Sequence, residues 1–499
     1  MLSNNLLSLA IWVPIAAGVL VLATGSDSRA GIARILAFIG SLAGFLVTLP
    51  LFTQFDRLNG GYQFTEFHSW IPVLNINYAL GVDGISVLLV ILNSFITLMV
   101  VLAGWQVIQK RPAQYMAAFL IMSGLINGAF AAQDAILFYV FFEGMLIPLY
   151  LIIGMWGGPR RVYASVKLFL YTLLGSLLML VAMVYLSYQA GGSFSIVDFQ
   201  NLKQIPLGVQ QLLFIAFFLS FAVKVPMWPV HTWLPDAHVE APTGGSMVLA
   251  AITLKVGAYG FLRFILPILP DASRYFAPVI IVLSLIAVIY IGMVALVQTD
   301  MKKLVAYSSI SHMGFVTLGL FLFSGGYLND WALKGAIIQM ISHGFVSAAM
   351  FMCIGVMYDR LHTRNIADYG GVVNVMPKFA AFMMLFGMAN AGLPATSGFV
   401  GEFMVIMGAV EVNFWVGALA ALTLIYGASY TLWMYKRVIF GPITNPEVKE
   451  MKDINCREFA ILAILAIAVL GMGLYPQAFI EVVHQAANDL ITHVAQSKI

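Results

Sequence analysis

FAVKVPMWPVHTWLPDAH, residues 221–238, sets one amine, Lys224, in an apolar run and follows it with Pro226, Pro229 and Pro235. An ionisable side chain at bilayer depth costs about 2.5 to 3.5 kcal/mol on insertion scales, so it marks function by default. Pro226 removes a backbone donor and disrupts the helix around Lys224. A broken helix in lipid is tolerated only where protein or a water-filled cavity covers the freed groups. A charge beside a helix break points to an ion path.

Outward from that stretch, composition sets the class. Of 499 residues, 61% are hydrophobic and 9% charged, with mean hydropathy +0.93. This lies far outside the soluble globular range and predicts an all-α polytopic membrane protein. Leu6 to Leu22 lacks a basic leader and a small-residue cleavage signal, and reads as a first membrane span. Cys353 and Cys456 have no C-x-x-C spacing and cannot supply the four thiolates of an iron–sulfur cluster. Neither a metal nor a cofactor is expected in this chain, and a net charge of +3 gives no reason to expect nucleic acid.

Fourteen windows of about 20 apolar residues, each long enough for a hydrocarbon core of about 30 Å, centre near residues 15, 41, 93, 124, 145, 177, 222, 253, 287, 313, 344, 392, 424 and 468. The odd-numbered loops and their adjoining helix ends hold 17 of the 25 basic residues, which assigns those loops to the cytoplasmic side. Both termini are then expected on the opposite, periplasmic side. The longest polar connections are residues 53–78, 190–208 and 441–457, and the tail after about residue 478 reads as short.

A second interrupted helix is expected in GMANAGLPATSGFVGEFM, residues 387–404, where Gly392, Pro394 and Gly398 precede Glu402. Pro226 and Pro394 are 394 − 226 = 168 residues apart, about five spans with their loops. Paired interruptions of this kind indicate two inverted five-helix repeats, each with one discontinuous helix. The expected divisions are a three-helix segment over 1–110, a first repeat over 111–266, a second over 267–441, and a last span with its tail over 442–499.

The intramembrane ionisable groups are few. Glu143, in LFYVFFEGMLIPLY (137–150), and Lys224 are read as a coupled titrating pair, since a carboxylate and an amine sharing a low-dielectric pocket control each other's charge. Lys255, in APTGGSMVLAAITLKVGAYGFLR (241–263), is a second amine and Glu402 a second acid. His312, His343 and His231 add imidazoles whose ordinary titration range suits a proton relay. The bland alternative for Glu143 and Lys224 is a structural ion pair, which small residues would replace at lower cost in lipid. Snorkelling is the alternative for Lys255 and Glu402, and a satisfied core imidazole for the histidines. Asp83 and Asp134 read as helix-start residues, and His238, Asp236, Asp300, Lys302 and Lys303 as loop and interface residues.

These segments, with SSISHMGF at 308–315 and GLPATSGFVGEFM at 392–404, resemble the proton-pumping antiporter-like membrane subunits of respiratory complex I, over about residues 80–475. An acid in the twelfth span, Glu402, points to the M branch of that family. The resemblance implies a subunit of a proton-translocating NADH:quinone oxidoreductase in a bacterial inner membrane, beside L-type and N-type siblings and lipid. FMN, iron–sulfur clusters and quinone would belong to partner subunits. It gives Glu143 the role of setting the charge of Lys224, Lys255 that of central relay, and Glu402 that of outlet, with His231, His312 and His343 along the hydrated axis. A subunit of a multisubunit sodium/proton antiporter or membrane-bound hydrogenase shares the fold and is the alternative. A haem protein ligated by His312 and His343 is the distant one.

Overall fold

A computed structural model describes residues 5–25 and 27–499. Twelve of the described helices are long and apolar enough to cross a membrane. The other two expected spans are also present. Span ten, Met301–Leu320, carries Lys302, Lys303 and His312 and is less apolar; span twelve is cut into Pro377–Asn390 and Ser397–Val412. Span seven is likewise cut into Leu207–Lys224 and Trp233–Glu240, so both expected interruptions occur. Four spans lie between the two broken ones, and the broken helices therefore run in opposite directions.

Local chemistry starts and stops the spans. Pro112, Pro270 and Pro377 stand in the first helical turn, where the missing N–H removes no helical bond. Asp134, Asp300, Asn329 and Asn413 cap spans five, ten, eleven and thirteen by accepting backbone N–H groups. Asn455 and Glu458 form a capping box on span fourteen, Cys456–Leu474. Asp300, read from sequence as a loop residue, is thus a helix cap.

Two polar connections are more ordered than their composition implies. Residues 53–78 contribute to an antiparallel hairpin of β1, Gln63–Ile71, and β2, Ile76–Val82. The short tail is largely an amphipathic helix, Gln477–Ala495. Gly84 passes so close to it that a Cβ there would lie 2.1 Å from the Val482 carbonyl oxygen.

The odd-numbered loops gather at one end of the bundle. Arg364 donates to the Val239 carbonyl and pairs with Asp300 at 3.3 Å, Lys302 reaches the Ala241 carbonyl at 2.5 Å, and the Arg111 N–H meets Asp27 at 3.1 Å. The even-numbered loops gather at the other end, where the Ile205 N–H donates to the Lys498 carbonyl at 2.8 Å and Asn329 meets Glu411 at 2.9 Å. Between the ends, span eight (Thr243–Ile268) is wholly buried and span eleven (Asp330–Leu361) nearly so. In spans one, two, six, nine, thirteen and fourteen, which are strongly apolar, only 33 to 39% of the window is buried, as suits lipid-facing helices. The two buried rods carry Lys255 and His343.

Candidate functional site

Lys224 is the last residue of the first half of span seven. Its charge therefore sits at a helix C-terminus, where unpaired carbonyls favour a cation. The amine is buried, has no hydrogen-bond partner among the described residues, and lies 5.0 Å from the centroid of the Phe142 ring. Glu143, next to that ring, ends a helical segment, Ala135–Gly144, that breaks before Leu146–Trp156. One of its oxygens is buried without a partner among the described residues. Glu143 and Lys224 interact electrostatically but form no contact ion pair, and the amine sits over the Phe142 ring. The two groups are thus coupled through space, without direct contact in this conformation.

Span seven meets span eight through glycine. A Cβ on Gly257 would lie 2.9 Å from both the Lys224 Cβ and the Val225 N, and one on Gly260 would enter the Phe221 ring at 2.3 Å. Those two glycines let the broken end of span seven approach the Lys255 helix. Segments of π-helix, Leu249–Thr253 and Phe261–Ile265, flank Lys255, a local widening frequent at functional sites.

From Lys255 the polar groups form a row. The Lys255 amine donates to the Ala250 carbonyl at 2.6 Å and meets His343 Nδ1 at 2.6 Å. The His343 and His312 rings lie 5.7 Å apart, centroid to centroid. His312 Nδ1 meets Glu402 Oε1 at 2.7 Å, and Gln339 Nε2 donates to the same oxygen at 3.1 Å. All five side chains are buried. His312 Nε2, Gln339 Oε1 and the neighbouring Ser342 hydroxyl have no partner among the described residues, so the row keeps free sites for exchange. Four of its members, Lys255, His343, His312 and Glu402, come from spans eight, eleven, ten and twelve, positions up to 147 residues apart in sequence.

Three placements depart from the sequence reading. His231 is not in the row; it lies in the non-helical stretch between the halves of span seven, with the Pro229 backbone and Lys167 as its neighbours. His238, read as a loop residue, is fully buried, stacks on Phe351 at 4.4 Å, bonds through neither ring nitrogen among the described residues, and has Lys302 and Lys255 as charged neighbours. Lys302 is buried too and lines, with Glu240, Asp359 and Arg364, a cavity of about 250 Å³ at the odd-loop end. Gln339 had a usable signal: it stands four residues before His343 and so shares its helix face.

The chain matches the family model for the transmembrane part of NADH:quinone oxidoreductase and Mrp antiporters over residues 132–426, and the amino-terminal model of NADH-ubiquinone oxidoreductase chain 4 over residues 58–130. It is 48% identical to NADH-quinone oxidoreductase subunit M of Rhodobacter capsulatus, over 98% of this chain and 96% of that one. It is 45% identical to NADH-ubiquinone oxidoreductase chain 4 of Arabidopsis thaliana, over 95% of each. Among solved structures, a chain of respiratory complex I from Thermus thermophilus superposes with a TM-score of 0.89 at 30% identity, covering 99% of this chain and all of that one. A chain of the Mrp complex from Dietzia sp. shares the fold at a TM-score of 0.83 and 22% identity, over 97% of this chain and 52% of that one. By sequence along nearly its whole length, and by fold, the chain belongs to the NADH:quinone oxidoreductase/Mrp antiporter family of membrane subunits, in the branch of NADH-quinone oxidoreductase subunit M.

Proposed function

We propose that this M-type, proton-translocating membrane subunit of complex I moves its proton along the row Lys224, Lys255, His343, His312 and Glu402. Redox chemistry in partner subunits, which would hold the FMN, iron–sulfur clusters and quinone, changes the field at one end. Glu143 and Lys224 then close on each other or separate, and Lys224 gains or sheds a proton accordingly. The released proton passes through water to Lys255, crosses to His343, is handed through one further water or a ring movement to His312, and reaches Glu402 as the outlet. The observation carrying this reading is the pair of buried short contacts, Lys255–His343 and His312–Glu402, brought by four helices to within 5.7 Å of each other, ring to ring.

The remaining assignments share that frame. Odd-numbered loops face the cytoplasm of a bacterial inner membrane and both termini the periplasm. The two inverted repeats span 111–266 and 267–441, with 1–110 and 442–499 flanking them. L-type and N-type siblings pack against the exposed apolar spans, and lipid covers the rest. His231 lies beside the inlet to Lys224 and does not enter the row.

The test is Glu143→Ala in the whole complex reconstituted in vesicles. Most coupled pumping should be lost, because Lys224 loses the group that sets its charge, with NADH oxidation by the peripheral part unchanged. An unaltered proton-to-electron ratio would sink the reading.

A further inference from the structure

The shortest route from Lys255 to the even-loop face runs along span eight, in the direction the row does not take. Span eight continues from Lys255 to the even-loop end, and Arg263 stands eight residues on, about 12 Å at the helical rise. Tyr259 lies between them on the same face. Arg263 is buried and pairs with buried Asp83, Nη2 to Oδ2, at 2.8 Å. Its guanidinium carbon lies 5.0 Å from the Tyr62 ring centroid and 5.1 Å from that of Tyr259.

We propose that the Arg263–Asp83 pair, enclosed by Tyr62 and Tyr259, is an electrostatic stopper that keeps a proton on Lys255 from escaping directly to the even-loop face.

The chemistry of each member fits a barrier and not a carrier. A guanidinium stays charged throughout the accessible pH range and cannot relay a proton, while a fixed positive charge in a narrow passage repels a hydronium ion. The Tyr259 hydroxyl donates to the Phe130 carbonyl at 3.0 Å and accepts from Arg263 Nε at 3.0 Å. Both of its bonding roles are thus taken, and it cannot pass a proton on without breaking one. Asp83 is equally committed: Oδ1 accepts the Ile85 and Ser86 N–H groups at 3.0 Å each and the Ser86 hydroxyl at 3.2 Å, and Oδ2 holds Arg263. The Tyr62 ring covers the guanidinium; its buried hydroxyl has no partner among the described residues to take a proton from or pass one to, and burial raises the phenol, which stays neutral.

The stopper is also fixed in place. Asp83 directly follows β2, and the close passage of Gly84 under the Gln477–Ala495 helix pins that turn. A mechanical pin alone does not account for the charges, because a buried ion pair gains little or no stability over apolar packing of the same shape.

This inference rests on Lys255 carrying protons, and its test keeps the two apart. Complex I carrying Arg263→Gln is reconstituted in vesicles without NADH, a pH step is applied, and proton entry is followed with an internal pH dye. Passive permeability per assembled complex should rise about tenfold or more, the factor given by a barrier lowered by about 1.4 kcal/mol, with NADH:quinone electron transfer retained. Arg263→Lys should remain tight, and adding Lys255→Met to Arg263→Gln should restore tightness. A tight Arg263→Gln, an equally leaky Arg263→Lys, or a leak indifferent to Lys255→Met each overturns the stopper. Normal pumping by Lys255→Met alone instead overturns the relay. Where Arg263→Gln fails to assemble, Arg263→His gives the same decision: permeability should be greater at pH 8 than at pH 5.5, across the ordinary imidazole range, and a pH-independent permeability overturns the stopper.

Discussion

At the scale of single residues, Glu402 and Lys224 are held in opposite ways. Glu402 receives His312 at 2.7 Å and Gln339 at 3.1 Å on one oxygen, while the Lys224 amine has an aromatic face and no hydrogen bond among the described residues. The first is a docked acid; the second is a charge free to change partners. Glu402→Asp keeps the acid but withdraws it by one methylene, which breaks the His312 contact. Pumping by the reconstituted complex should drop about a hundredfold, with normal subunit content on native gels, whereas Gln339→Ala, which leaves His312 in place, should lower it less. Proton uptake measured against NADH consumed checks both. The identity of these acids and amines was legible in sequence, because a charge in an apolar run needs no structure to be noticed. Their partners were not legible, since the Phe142 ring beneath Lys224, and Gln339 beside Glu402, depend on how the spans are rotated.

At the scale of elements, the break in span seven and the glycines of span eight form one joint. Gly257 is closed in by backbone as well as side chain, the Val225 N and the Lys224 Cβ both lying 2.9 Å from where its Cβ would be. Backbone cannot step aside as a flexible side chain does. Gly257→Ala should therefore cost about 1 to 3 kcal/mol as overpacking, shift Lys224 and abolish coupled pumping. Gly471→Ala, with open space around it, should be neutral in both thermal stability and pumping. Helix existence and the two interruptions were readable from apolar length and proline, yet the β1–β2 hairpin was not. Its alternation is blurred because β1 is mostly exposed while the end of β2 is buried, and the pairing register shifts twice.

At the scale of the whole molecule, the chain after span fourteen ties the even-loop end together. The Lys498 amine donates to the Pro267 carbonyl at 2.7 Å and to the Gln200 carbonyl, and the Lys498 N–H meets Asp271 at 2.8 Å. Burial lowers the Lys498 amine to about 8, against the pull of Asp271. The unfolded or released tail, with an ordinary lysine, binds more protons than the docked one between about pH 8 and the usual lysine range near 10.5. Docking should therefore strengthen as pH rises through that window and be flat below it. Hydrogen-exchange protection of residues 496–499 in the intact complex, corrected for intrinsic exchange, should increase from pH 8 to 10, and Lys498→Met should remove that dependence.

The sequence by itself determined the membrane class, the fourteen spans, their two breaks and the charged groups worth asking about. Each of these follows from local physics: apolar length against bilayer thickness, proline against the helical bond, and charge against hydrocarbon. Only the tertiary structure decided which groups touch. Lys255, His343, His312 and Glu402 lie on four helices, and whether they face one another depends on helix rotation, set by packing at residues such as Gly257 that carry no charge. For the same reason Lys224 could be singled out from its own segment, while the Phe142 ring beneath its amine required the folded bundle.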